Sequence, residues 1–578
     1  MLTVKVFQKD THKIIKAKQG TNLLNLLQEH NLLLYSPCGG KGLCGKCRVK
    51  IMEKERLACQ VILEEDLVVE IPEYSTKAAQ IVTAGKIQET IDPAISRMTL
   101  TLSEPNQADP ISDVARVEQA LNQKLPFQLM ANLADLLRQE HFQLSVVTYQ
   151  EKEVLALEPD STENQQYGIA IDLGTTTIVG YLLDLSTGVQ LGIYSALNPQ
   201  TKYGADVITR IDYSMQGTNN LTELTGLIRT AINQMIHYFC SHYQIKTNNI
   251  YELTVVGNTI MLHLLAGLPV KNMALSPYIP VVSRMLVLTA KDLNLDICPL
   301  GKVVLLPTVS SFVGADTIGA ILSCKLHQKK EINLLIDIGT NGEIVLGNKE
   351  QIIICSTAAG PALEGGRLEC GIGGVPGAIN RVLIRDDVTY STIGETTATG
   401  ICGSGIIDLI AELLKIGLIT ADGRMLSPEE VYGQFPIKLA KRIKLINEQP
   451  TFFLENNLYL SQKDVREVQL AKAAIAAGIE ILIKELNVSP ADIANLYLTG
   501  GFGNYMDVEN AIAIGLIPPV FQNKIRTIGN GAGIGAQLTL LLQETKNQAA
   551  QIAEQAKYIE LATRPDFQEI FINSLNFS

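Results

Sequence analysis

Four cysteines near the start of the chain have the residue type and the spacing of a metal site. They are Cys38, Cys44, Cys47 and Cys59, and the first three are spaced C-x5-C-x2-C within a glycine-rich stretch. Thiolates are soft ligands that suit iron, and glycines let backbone amides approach inorganic sulfides closely. A structural zinc site usually has two separated short pairs of ligands. The crowding of three cysteines therefore favours an iron–sulfur cluster over zinc.

The segments around the cysteines indicate the type of cluster. TVKVFQ and KIIKAKQG predict a hairpin, TNLLNLLQEHN a short helix, and RVKIM and LVVEIP two further strands. This order resembles the β-grasp fold of plant- and adrenodoxin-type 2Fe–2S ferredoxins. The resemblance implies one 2Fe–2S cluster on the four cysteines. The loop has one residue more than the plant spacing, as in the adrenodoxin branch, and the short gap between Cys47 and Cys59 leaves the fourth ligand open.

Length and composition set limits on the rest of the chain. A chain of 578 residues is long enough for several domains. Its composition, with 46% hydrophobic and 19% charged residues, predicts an α/β protein with a large hydrophobic core. The net charge of −11 argues against nucleic-acid binding and against an anionic membrane surface. MLTVKVFQKD enters a strand without an apolar signal segment, and no uncharged apolar stretch reaches membrane-spanning length. Ten cysteines in so long a chain do not form a disulfide framework, so we expect a cytoplasmic, reduced protein.

An internal repeat is the second strong feature of the sequence. GIAIDLGTTTIVGYLLD begins at Gly168, and NLLIDIGTNGEIVLG begins at Asn333. Each copy is an apolar strand that ends in Asp-(Leu/Ile)-Gly-Thr and is followed by a tight turn and a second strand. The two copies predict that one fold occurs twice in the chain.

The residues at the two turns have the chemistry of a phosphate clamp. Gly174 and Gly339 permit turns that aim backbone N–H groups at an anion. Asp172 and Asp337 stand at strand ends, where a carboxylate can hold a hydrated Mg²⁺. The side chains that add hydrogen-bond donors are Thr175, Thr176, Thr340 and Asn341. One such hairpin is equally typical of an ordinary β-turn, but two facing copies predict a clamp for a nucleotide.

The order of the remaining motifs resembles the actin, hexokinase and heat-shock chaperone superfamily, whose two related lobes close on ATP. SSFVGADTIGAIL is similar to the first connecting helix, and GNGAGIGAQL, from Gly529, to the second. The adenosine-binding loop is matched by NLYLTGGFGNYMDVENAI, with Gly500, Gly501 and Gly503. The resemblance implies ATP and Mg²⁺ as ligands. A dinucleotide site is disfavoured because no G-x-G-x-x-G follows the first strand.

Two further carboxylates near these motifs are candidate catalytic residues, together with Asp172 and Asp337. Asp316 lies in VGADTIGA, and Glu343 follows the second hairpin. Either could orient water or Mg²⁺, and either could equally serve as a helix cap.

A 2Fe–2S ferredoxin joined to an actin-like ATPase resembles the RACo-type, ATP-dependent reductive activators of corrinoid proteins, including activators of O-demethylase systems. The stretches that match the C-terminal part of that family are VGNTIMLHLLAGL, STAAGPALEGG, GICGSGIIDLI and DVREVQLAKAAIAAGI. The resemblance implies an ATP-dependent oxidoreductase that passes one electron from the 2Fe–2S cluster to a corrinoid, reducing inactive Co(II) to Co(I). It also implies three partners: a corrinoid protein, a low-potential electron donor, and a second copy of the chain bound through the ATPase domain.

Composition predicts the domain boundaries of a multidomain α/β protein. We expect a β-grasp ferredoxin over 1–73, a linker over 74–94, a small α/β middle domain over 95–160 and a duplicated actin-like ATPase over 167–557. Residues 558–578 have no clear assignment. The linker is predicted where IPEYSTKAAQIVTAGKIQETIDP loses its periodicity.

Three alternative functions remain open at this point. The first is an activator of a 2-hydroxyacyl-CoA dehydratase, because Cys355, Cys370 and Cys402 lie near glycine-rich loops and resemble the cluster cysteines of such activators. No C-x2-C pair is present among them, so we favour the interpretation that they are buried, small apolar residues. A metabolite kinase with a redox-regulating ferredoxin would need no corrinoid partner. An actin-like filament or chaperone module would polymerise or bind clients. The low-potential cluster argues against the last two, since neither needs an electron.

Overall fold

A computed structural model describes most of the chain. The described residues are 2–8, 11–30, 32, 47–52, 54–71, 90–160, 165–204, 206–339, 341–455, 457–500 and 506–577. Five of the predicted site residues lie outside them: Cys38, Cys44, Thr340, Gly501 and Gly503. Within these ranges, no helix has both the length and the apolar character needed to cross a membrane.

The N-terminal domain is a five-stranded sheet with one helix packed on it. Its elements are β1 (Leu2–Gln8), β2 (Thr11–Ala17), α1 (Leu23–Glu29), β3 (Arg48–Ile51), β4 (Lys54–Leu57) and β5 (Leu67–Glu70). The strand order is β2-β1-β5-β3-β4, with β1 parallel to β5 and antiparallel to β2. Val4 and Val6 of β1 are buried in the same core as Leu23 and Leu27 of α1, because alternate residues of a strand face one side. The predicted β-grasp fold is confirmed.

A small α/β unit follows the N-terminal domain. It contains β6 (Ile95–Thr101), α2 (Asp113–Leu121), α3 (Leu133–Gln139), β7 (Gln143–Tyr149) and β8 (Glu153–Pro159), and the three strands form an antiparallel sheet in the order β6-β7-β8. One set of residues, including Leu144, packs with both helices, and another, including Val147 and Tyr149, joins the core of the next lobe. The unit is therefore fixed against that lobe.

The first lobe is built on a six-stranded sheet. Its elements are β9 (Tyr167–Leu173), β10 (Thr177–Asp184), β11 (Gln190–Leu197), α4 (Val207–Met215), α5 (Asn220–Tyr243), β12 (Ile250–Gly257), α6 (Thr259–Ala266), β13 (Leu286–Thr289), α7 (Ala290–Leu293), β14 (Lys302–Leu305) and α8 (Ala315–Cys324). The order is β11-β10-β9-β12-β14-β13. Strands β9 to β11 form an antiparallel meander, and β12 and β14 are added in parallel beside β9.

The second lobe has a larger set of elements around its own core. They are β15 (Asn333–Ile338), β16 (Gly342–Gly347), β17 (Ile352–Thr357), β18 (Ala378–Ile384), β19 (Val388–Thr392), β20 (Gly400–Ile401), α9 (Gly403–Lys415), α10 (Pro428–Val431), α11 (Ile437–Ala440), β21 (Ile443–Ile446), β22 (Gln449–Glu455), β23 (Leu458–Ser461), α12 (Gln462–Leu486), β24 (Asn495–Thr499), α13 (Val508–Ala513), β25 (Ile525–Thr527), α14 (Gly531–Leu541), α15 (Gln543–Gln555), β26 (Ala556–Tyr558) and α16 (Phe567–Asn573). The main sheet has the order β25-β24-β15-β16-β17-β26. Two small sheets, β19-β18-β20 and β21-β22-β23, lie between β17 and α12 in the chain.

The two main sheets share one topology in five of their six strands. Strands β15 to β17 form an antiparallel meander, and β24 and β25 are added in parallel beside β15, just as β12 and β14 are added beside β9. The duplicated fold that the repeated Asp-(Leu/Ile)-Gly-Thr motif predicts is therefore confirmed. Both repeated hairpins begin at the carboxyl end of a central strand, which is where ligands bind in open α/β sheets.

The helices α8 and α14 cross closely and join the lobes. Glycines make this approach possible, because a Cβ atom on Gly535 would lie 2.2 Å from the carbonyl oxygen of Gly319. Helix α14 also packs against β9 and β12 of the first lobe. The C-terminal residues belong to the second lobe: α16 packs on α12, and Phe577 is buried with its amide donating to the carbonyl of Ala421 over 2.8 Å.

Candidate nucleotide site and cluster domain

Four carboxylates gather in the cleft between the lobes. Asp172 lies near the end of β9 and Asp337 near the end of β15. Glu343 is the second residue of β16, and Asp316 lies in the first turn of α8. All four side chains belong to half-buried residues, and Asp337 pairs directly with Glu343 across the hairpin. The structure thus brings together the four residues that the sequence predicts to be catalytic.

The electrostatics of this carboxylate cluster (Asp172, Asp316, Asp337 and Glu343) are unfavourable in the absence of a cation. Burial, together with the negative charges of Asp316, Asp172 and Glu364, raises the pKa of Asp337 to about 8. Burial likewise raises the pKa of Asp172 and of Asp316 to about 6 and that of Glu343 well above its ordinary value. A cation in the cleft would offset this repulsion, because an opposite charge favours the ionised form of a carboxylate.

Residues behind the first hairpin hold its turn in place. The amide of Gly174 donates to the carbonyl of Thr177 over 3.0 Å, and a Cβ atom on Gly174 would lie 2.6 Å from that same oxygen. Nδ2 of Asn198 donates to the Gly174 carbonyl over 2.9 Å, and the buried guanidinium of Arg210 donates to the Thr175 carbonyl. The amide of Asn198 donates to the carbonyl of Thr176, which completes the brace. The hairpin is pre-organised before any ligand arrives.

The second hairpin has a shorter turn. The amide of Gly339 donates to the carbonyl of Asn341 over 3.0 Å, so three residues make the turn where the first hairpin uses four. A Cβ atom on Gly339 would meet nothing closer than Oε1 of Glu364, at 3.6 Å. The need for glycine here therefore does not come from neighbouring protein atoms. Asn341 is exposed, and Thr340 lies outside the described residues.

The predicted adenosine loop begins against the carboxylate cluster. Gly500 has a φ of +94°, and a Cβ atom there would lie 2.8 Å from Oδ1 of Asp337. Its amide donates to the carbonyl of Gly529 over 3.1 Å. Glycine is required at this position for both conformation and space. Gly501 and Gly503 fall outside the described part of the chain, so the loop's contacts with a nucleotide remain a prediction.

The cleft suits a hydrated Mg²⁺ better than a fully protein-ligated ion. Within the described ranges, no three His, Cys, Asp or Glu side chains converge on a common point that could hold a metal. Mg²⁺ dehydrates reluctantly and is usually bound by one or two carboxylates together with water and substrate phosphates. The carboxylate cluster can supply those one or two ligands, and the hairpins can supply donors for the phosphates. The residues present therefore fit Mg·ATP.

Three asparagine and arginine side chains that sequence reasoning missed support the site. Nδ2 of Asn530 donates to Oδ2 of Asp172 over 2.9 Å, and Nδ2 of Asn258 donates to Oγ1 of Thr175 over 2.9 Å. Arg210 is the third. Each asparagine immediately precedes a helix, and an asparagine before an apolar helical run is an N-cap signal that could have drawn attention to both. Nothing in the local sequence of Arg210 indicates its role.

Comparison with known proteins agrees with this architecture. The chain is 35% identical over 563 residues, covering 93% of both proteins, to a protein of Eubacterium limosum named corrinoid activation enzyme RamQ. This chain therefore belongs to the family of reductive activators of corrinoid proteins. A solved structure of a reductive activator for a corrinoid, iron–sulfur protein superposes with a TM-score of 0.76 at 30% identity, covering 99% of this chain and 98% of the other. A [Co(II) methylated amine-specific corrinoid protein] reductase of Methanosarcina barkeri is 26% identical over 449 residues, which is 71% of this chain and 77% of the reductase.

Four family profiles divide the chain of this activator. A 2Fe–2S iron–sulfur cluster binding domain matches residues 6–66, the RACo linker region 84–164, the RACo middle region 167–329, and the C-terminal ASKHA domain of RACo 331–578. ASKHA denotes the actin, hexokinase and heat-shock superfamily that the two hairpins indicate. The division between the last two profiles coincides with the division between the two lobes.

Two of the four predicted cluster cysteines lie in the described part of the N-terminal domain. Cys47 is buried and comes directly before β3, and its carbonyl accepts from the amide of Ala58 over 2.8 Å. Cys59 is half-buried in the turn after β4, and Nδ2 of Asn22 donates to its carbonyl over 2.8 Å. Neither forms a disulfide. Both stand at the same end of the β3–β4 hairpin, as joint ligands of one cluster must.

The three cysteines of the second lobe have a different environment. Cys355 and Cys402 are buried among apolar side chains, and Cys370 is half-buried with its Sγ 3.5 Å from the carbonyl of Asn457. Burial raises the pKa of the Cys355 thiol, which keeps it protonated. The protonated Cys355 thiol and the burial of Cys402 favour the interpretation of small apolar residues over that of cluster ligands.

A second cleft lies in the second lobe, away from the carboxylate cluster. It has a volume of about 450 Å³ and is lined by residues of β18, β19, α9 and α13. Two ion pairs lie in it: Arg381 is 2.8 Å from Asp507, and Lys415 is 2.9 Å from Glu412 of the same helix. The first pair joins β18 of the inserted sheet to the residue that caps α13, and none of the predicted catalytic residues lines this cleft.

Proposed function

We propose that this protein uses ATP to drive one electron from its 2Fe–2S ferredoxin domain to the cobalt of a corrinoid protein, converting inactive Co(II) to Co(I). The observation that carries this proposal is the presence, on one chain, of a β-grasp 2Fe–2S domain and a two-lobed ATPase. A relative aligned over 93% of both proteins is named for corrinoid activation, and one aligned over 71% of this chain is named for the reduction of a Co(II) corrinoid protein. The protein is accordingly an ATP-dependent oxidoreductase.

The energetics explain why an ATPase belongs beside the ferredoxin. A plant-type 2Fe–2S cluster has a reduction potential near about −400 mV. The Co(II)/Co(I) couple of a corrinoid generally lies lower, so the electron moves uphill. For a one-electron couple, each ~59 mV of deficit lowers the equilibrium ratio of product to reactant tenfold. ATP can make up the deficit only if its binding or hydrolysis favours a complex that contains Co(I).

The lobes provide the element that can change state. The carboxylate cluster draws Asp172 and Asp316 from the first lobe and Asp337 and Glu343 from the second, so Mg·ATP in the cleft favours the closed arrangement of the two. A ligand shifts such an equilibrium only by the difference in its affinity for the two states. Closure around the nucleotide is therefore the step that we assign to ATP.

Four finer statements belong to the same proposal. The cluster is held by Cys38, Cys44, Cys47 and Cys59, and the nucleotide by the two hairpins with Gly500, Gly501 and Gly503. Catalysis involves Asp172, Asp337, Asp316 and Glu343. The domains are divided as 1–73, 74–94, 95–160 and 167–557. The protein is cytoplasmic, takes its electron from a low-potential donor and forms a homodimer through the ATPase domain.

The test is reduction of a corrinoid protein under anaerobic conditions. The chemically reduced activator is mixed with a Co(II) corrinoid protein, and the loss of the Co(II) electron spin resonance signal is followed with and without Mg·ATP. We expect rapid loss with ATP and little without it. Equal loss in both samples, together with phosphorylation of a small metabolite, would favour the redox-regulated kinase; reduction of a 2-hydroxyacyl-CoA dehydratase and not of the corrinoid protein would favour the dehydratase activator.

A further inference from the structure

Asn530 makes a single side-chain bridge between two parts of the molecule that belong to different lobes. Its Nδ2 donates to Oδ2 of Asp172 over 2.9 Å, and it also lies 3.2 Å from the hydroxyl of Tyr181. Asp172 and Tyr181 are on β9 and β10 of the first lobe, whereas Asn530 precedes α14, the last connecting helix. The bridge therefore spans the cleft in which the nucleotide is predicted to bind.

The start of α14 is tied to the sheet of the second lobe. Oγ1 of Thr499, at the end of β24, accepts from the amide of Gly531 over 2.8 Å and donates to the carbonyl of Gly529 over 3.0 Å. These two bonds fix the residues on both sides of Asn530 to β24. The backbone beside Asn530 is consequently tied to the end of β24, next to Asp337 on the neighbouring β15, whereas the helix that Asn530 caps packs against β9 and β12.

The orientation of the Asn530 amide is determined by its two roles. Its Oδ1 accepts from the amide of Gly533 over 2.9 Å, which is the N-cap of α14. A backbone amide needs an acceptor and a carboxylate needs a donor, so only one orientation of the side-chain amide serves both partners. The helix cap thus aims Nδ2 at Asp172.

We propose that Asn530 is a positioning residue for the nucleotide reaction, holding the Asp172 carboxylate in its working orientation from a point where the end of β24 meets the start of α14. This inference rests on the proposed function, because it assigns a role at the ATP site. A hydrogen bond of 2.9 Å is lost once its atoms separate beyond about 3.5 Å. A displacement of Asn530 relative to Asp172 by less than an ångström would therefore release the carboxylate.

Asn258 is a natural control for this role. Its Oδ1 caps α6 by accepting from the amide of Met261 over 2.9 Å, and its Nδ2 donates to Oγ1 of Thr175 over 2.9 Å. It has the same two bonds as Asn530, to the same hairpin, but all its partners belong to the first lobe. Its bond is independent of lobe spacing and serves a residue predicted to contact phosphate.

Serine variants separate positioning from capping. Serine is as good an N-cap as asparagine but lacks the amide donor, so Asn530→Ser and Asn258→Ser should both keep the stability of the full-length protein. We expect Asn530→Ser to lower kcat for ATP hydrolysis about tenfold with KM for ATP within about twofold, because misorientation of a catalytic group reduces the rate rather than the affinity. Asn258→Ser should mainly raise KM. An unchanged kcat in Asn530→Ser would overturn the proposal.

A second measurement requires no turnover, so it remains decisive if the wild-type protein proves not to hydrolyse ATP. Asn530→Asp keeps the cap acceptor and sets a second carboxylate against Asp172, and like charges repel. We expect Asn530→Asp to lower Tm by several degrees in the wild-type background and by less than half as much in an Asp172→Ala background. Additive shifts would show that Asn530 is only a helix cap and would refute the bridge. Failure of cobalt reduction with a non-additive Tm shift would instead refute the proposed function alone.

Discussion

Half-buried carboxylates that share a cleft destabilise the protein unless a proton or a cation neutralises them. Asp337 is the centre of this effect, because Asp172, Asp316 and Glu364 all raise its pKa. Its pKa of about 8 compares with an ordinary value of 3.8. The cluster therefore makes the empty cleft costly and the occupied cleft favourable. Cation binding and closure of the lobes are coupled at the level of these side chains.

Asp337→Asn should stabilise the protein in the absence of Mg²⁺ and nucleotide. Since the folded state raises the pKa of Asp337, it binds the proton more tightly than the unfolded state, and this contribution to stability is lost as pH rises from about 4 to about 8. Asparagine removes the charge, so we expect Tm at pH 8 to rise by at least about 2 °C and the fall in Tm between pH 5 and pH 8 to become smaller. Thermal unfolding in a chelating buffer measures both quantities. The exposed Asp386→Asn is the control, and a lower Tm of Asp337→Asn at pH 8 would contradict this account.

Cys59 and Cys370 offer a matched test of the cluster ligands. Both are half-buried thiols, one in the ferredoxin domain and one in the second lobe. We expect Cys59→Ser to lose most of its bound iron and its visible absorption, because a hard oxygen replaces a soft thiolate. Cys370→Ser should keep the wild-type iron content. Iron analysis and absorption of anaerobically purified protein decide the matter, and full occupancy in Cys59→Ser would mean that the fourth ligand is another residue.

At the level of elements, crossed helices and repeated hairpins link the two lobes. Helices α8 and α14 touch through Gly319 and Gly535. In each lobe, the parallel strand beside the first strand of the hairpin ends at, or just before, a polar residue. In the first lobe Asn258 follows β12, and in the second Thr499 ends β24. The crossing provides a close pivot. Asn258 ties the first hairpin to its own lobe through Thr175, and Thr499 ties the start of α14 to β24.

Alanine at two helical glycines should have opposite effects. In α14, a Cβ atom on Gly535 would overlap the backbone of Gly319 at 2.2 Å, whereas Gly226 in α5 has no atom within 4 Å of its Cβ position. We expect Gly535→Ala to push the helices apart, lower Tm and reduce ATP hydrolysis at least about tenfold, since lobe spacing changes. Gly226→Ala should be neutral or should stabilise the protein by up to about 1 kcal/mol through helix propensity. A Gly535→Ala variant with normal Tm and activity would exclude a close pivot.

Local sequence patterns predict the repeated hairpins and the β-grasp domain, but they do not predict the contacts between residues that are far apart in the chain. The repeated hairpins follow from apolar strands with Asp and Gly at their ends, and the β-grasp order follows from short alternating runs around the cysteines. By contrast, the bond from Asn530 to Asp172 joins residues 358 positions apart, and Arg210 reaches Thr175 across 35 positions. Neither contact leaves a local pattern, because each depends on how complete sheets pack.

For the whole molecule, the important question is how the ferredoxin domain is attached to the ATPase. Asp92, which lies just before the small α/β unit, is hydrogen-bonded to the end of α14. Its amide donates to the Leu541 carbonyl over 2.9 Å, and its carbonyl accepts from the Gln543 amide over 2.8 Å. Helix α14 begins at the carboxylate cluster, with Asn530 as its cap. One helix thus extends from the nucleotide site to the point where the ferredoxin's connection enters.

The small α/β unit that follows Asp92 is fixed to the first lobe by an ion pair and by hydrogen bonds. Lys302 of β14 lies 2.5 Å from Glu153 of β8, and the Arg97–Glu158 pair of the unit is hydrogen-bonded to the hydroxyl of Tyr251 on β12. Tyr149 of β7 is buried in the core of the first lobe. These contacts make the unit a fixed base, so movement of the ferredoxin domain relative to the ATPase must come from residues before it.

Deletion of residues 76–87 should slow cobalt reduction while leaving iron content and basal ATP hydrolysis close to wild type. These residues belong to the predicted linker and precede the Asp92 anchor, so their loss should shorten the reach of the ferredoxin domain. We expect the rate of Co(II) loss to fall about tenfold or more. Replacement of the same residues by a glycine–serine segment of equal length is the control and should restore the rate. Wild-type rates in the deletion variant would show that reach is not limiting.

The central claim, that ATP drives the electron uphill, is tested most directly by the Co(I)/Co(II) ratio at a fixed redox potential. The activator and a corrinoid protein are equilibrated with a mediator couple, and cobalt is followed by absorption and electron spin resonance before and after Mg·ATP is added. For one electron, a tenfold rise in the ratio corresponds to ~59 mV. We predict a rise of at least tenfold with the wild-type protein and none with Asp172→Ala. A ratio that stays the same after ATP is added to the wild-type protein would contradict the claim.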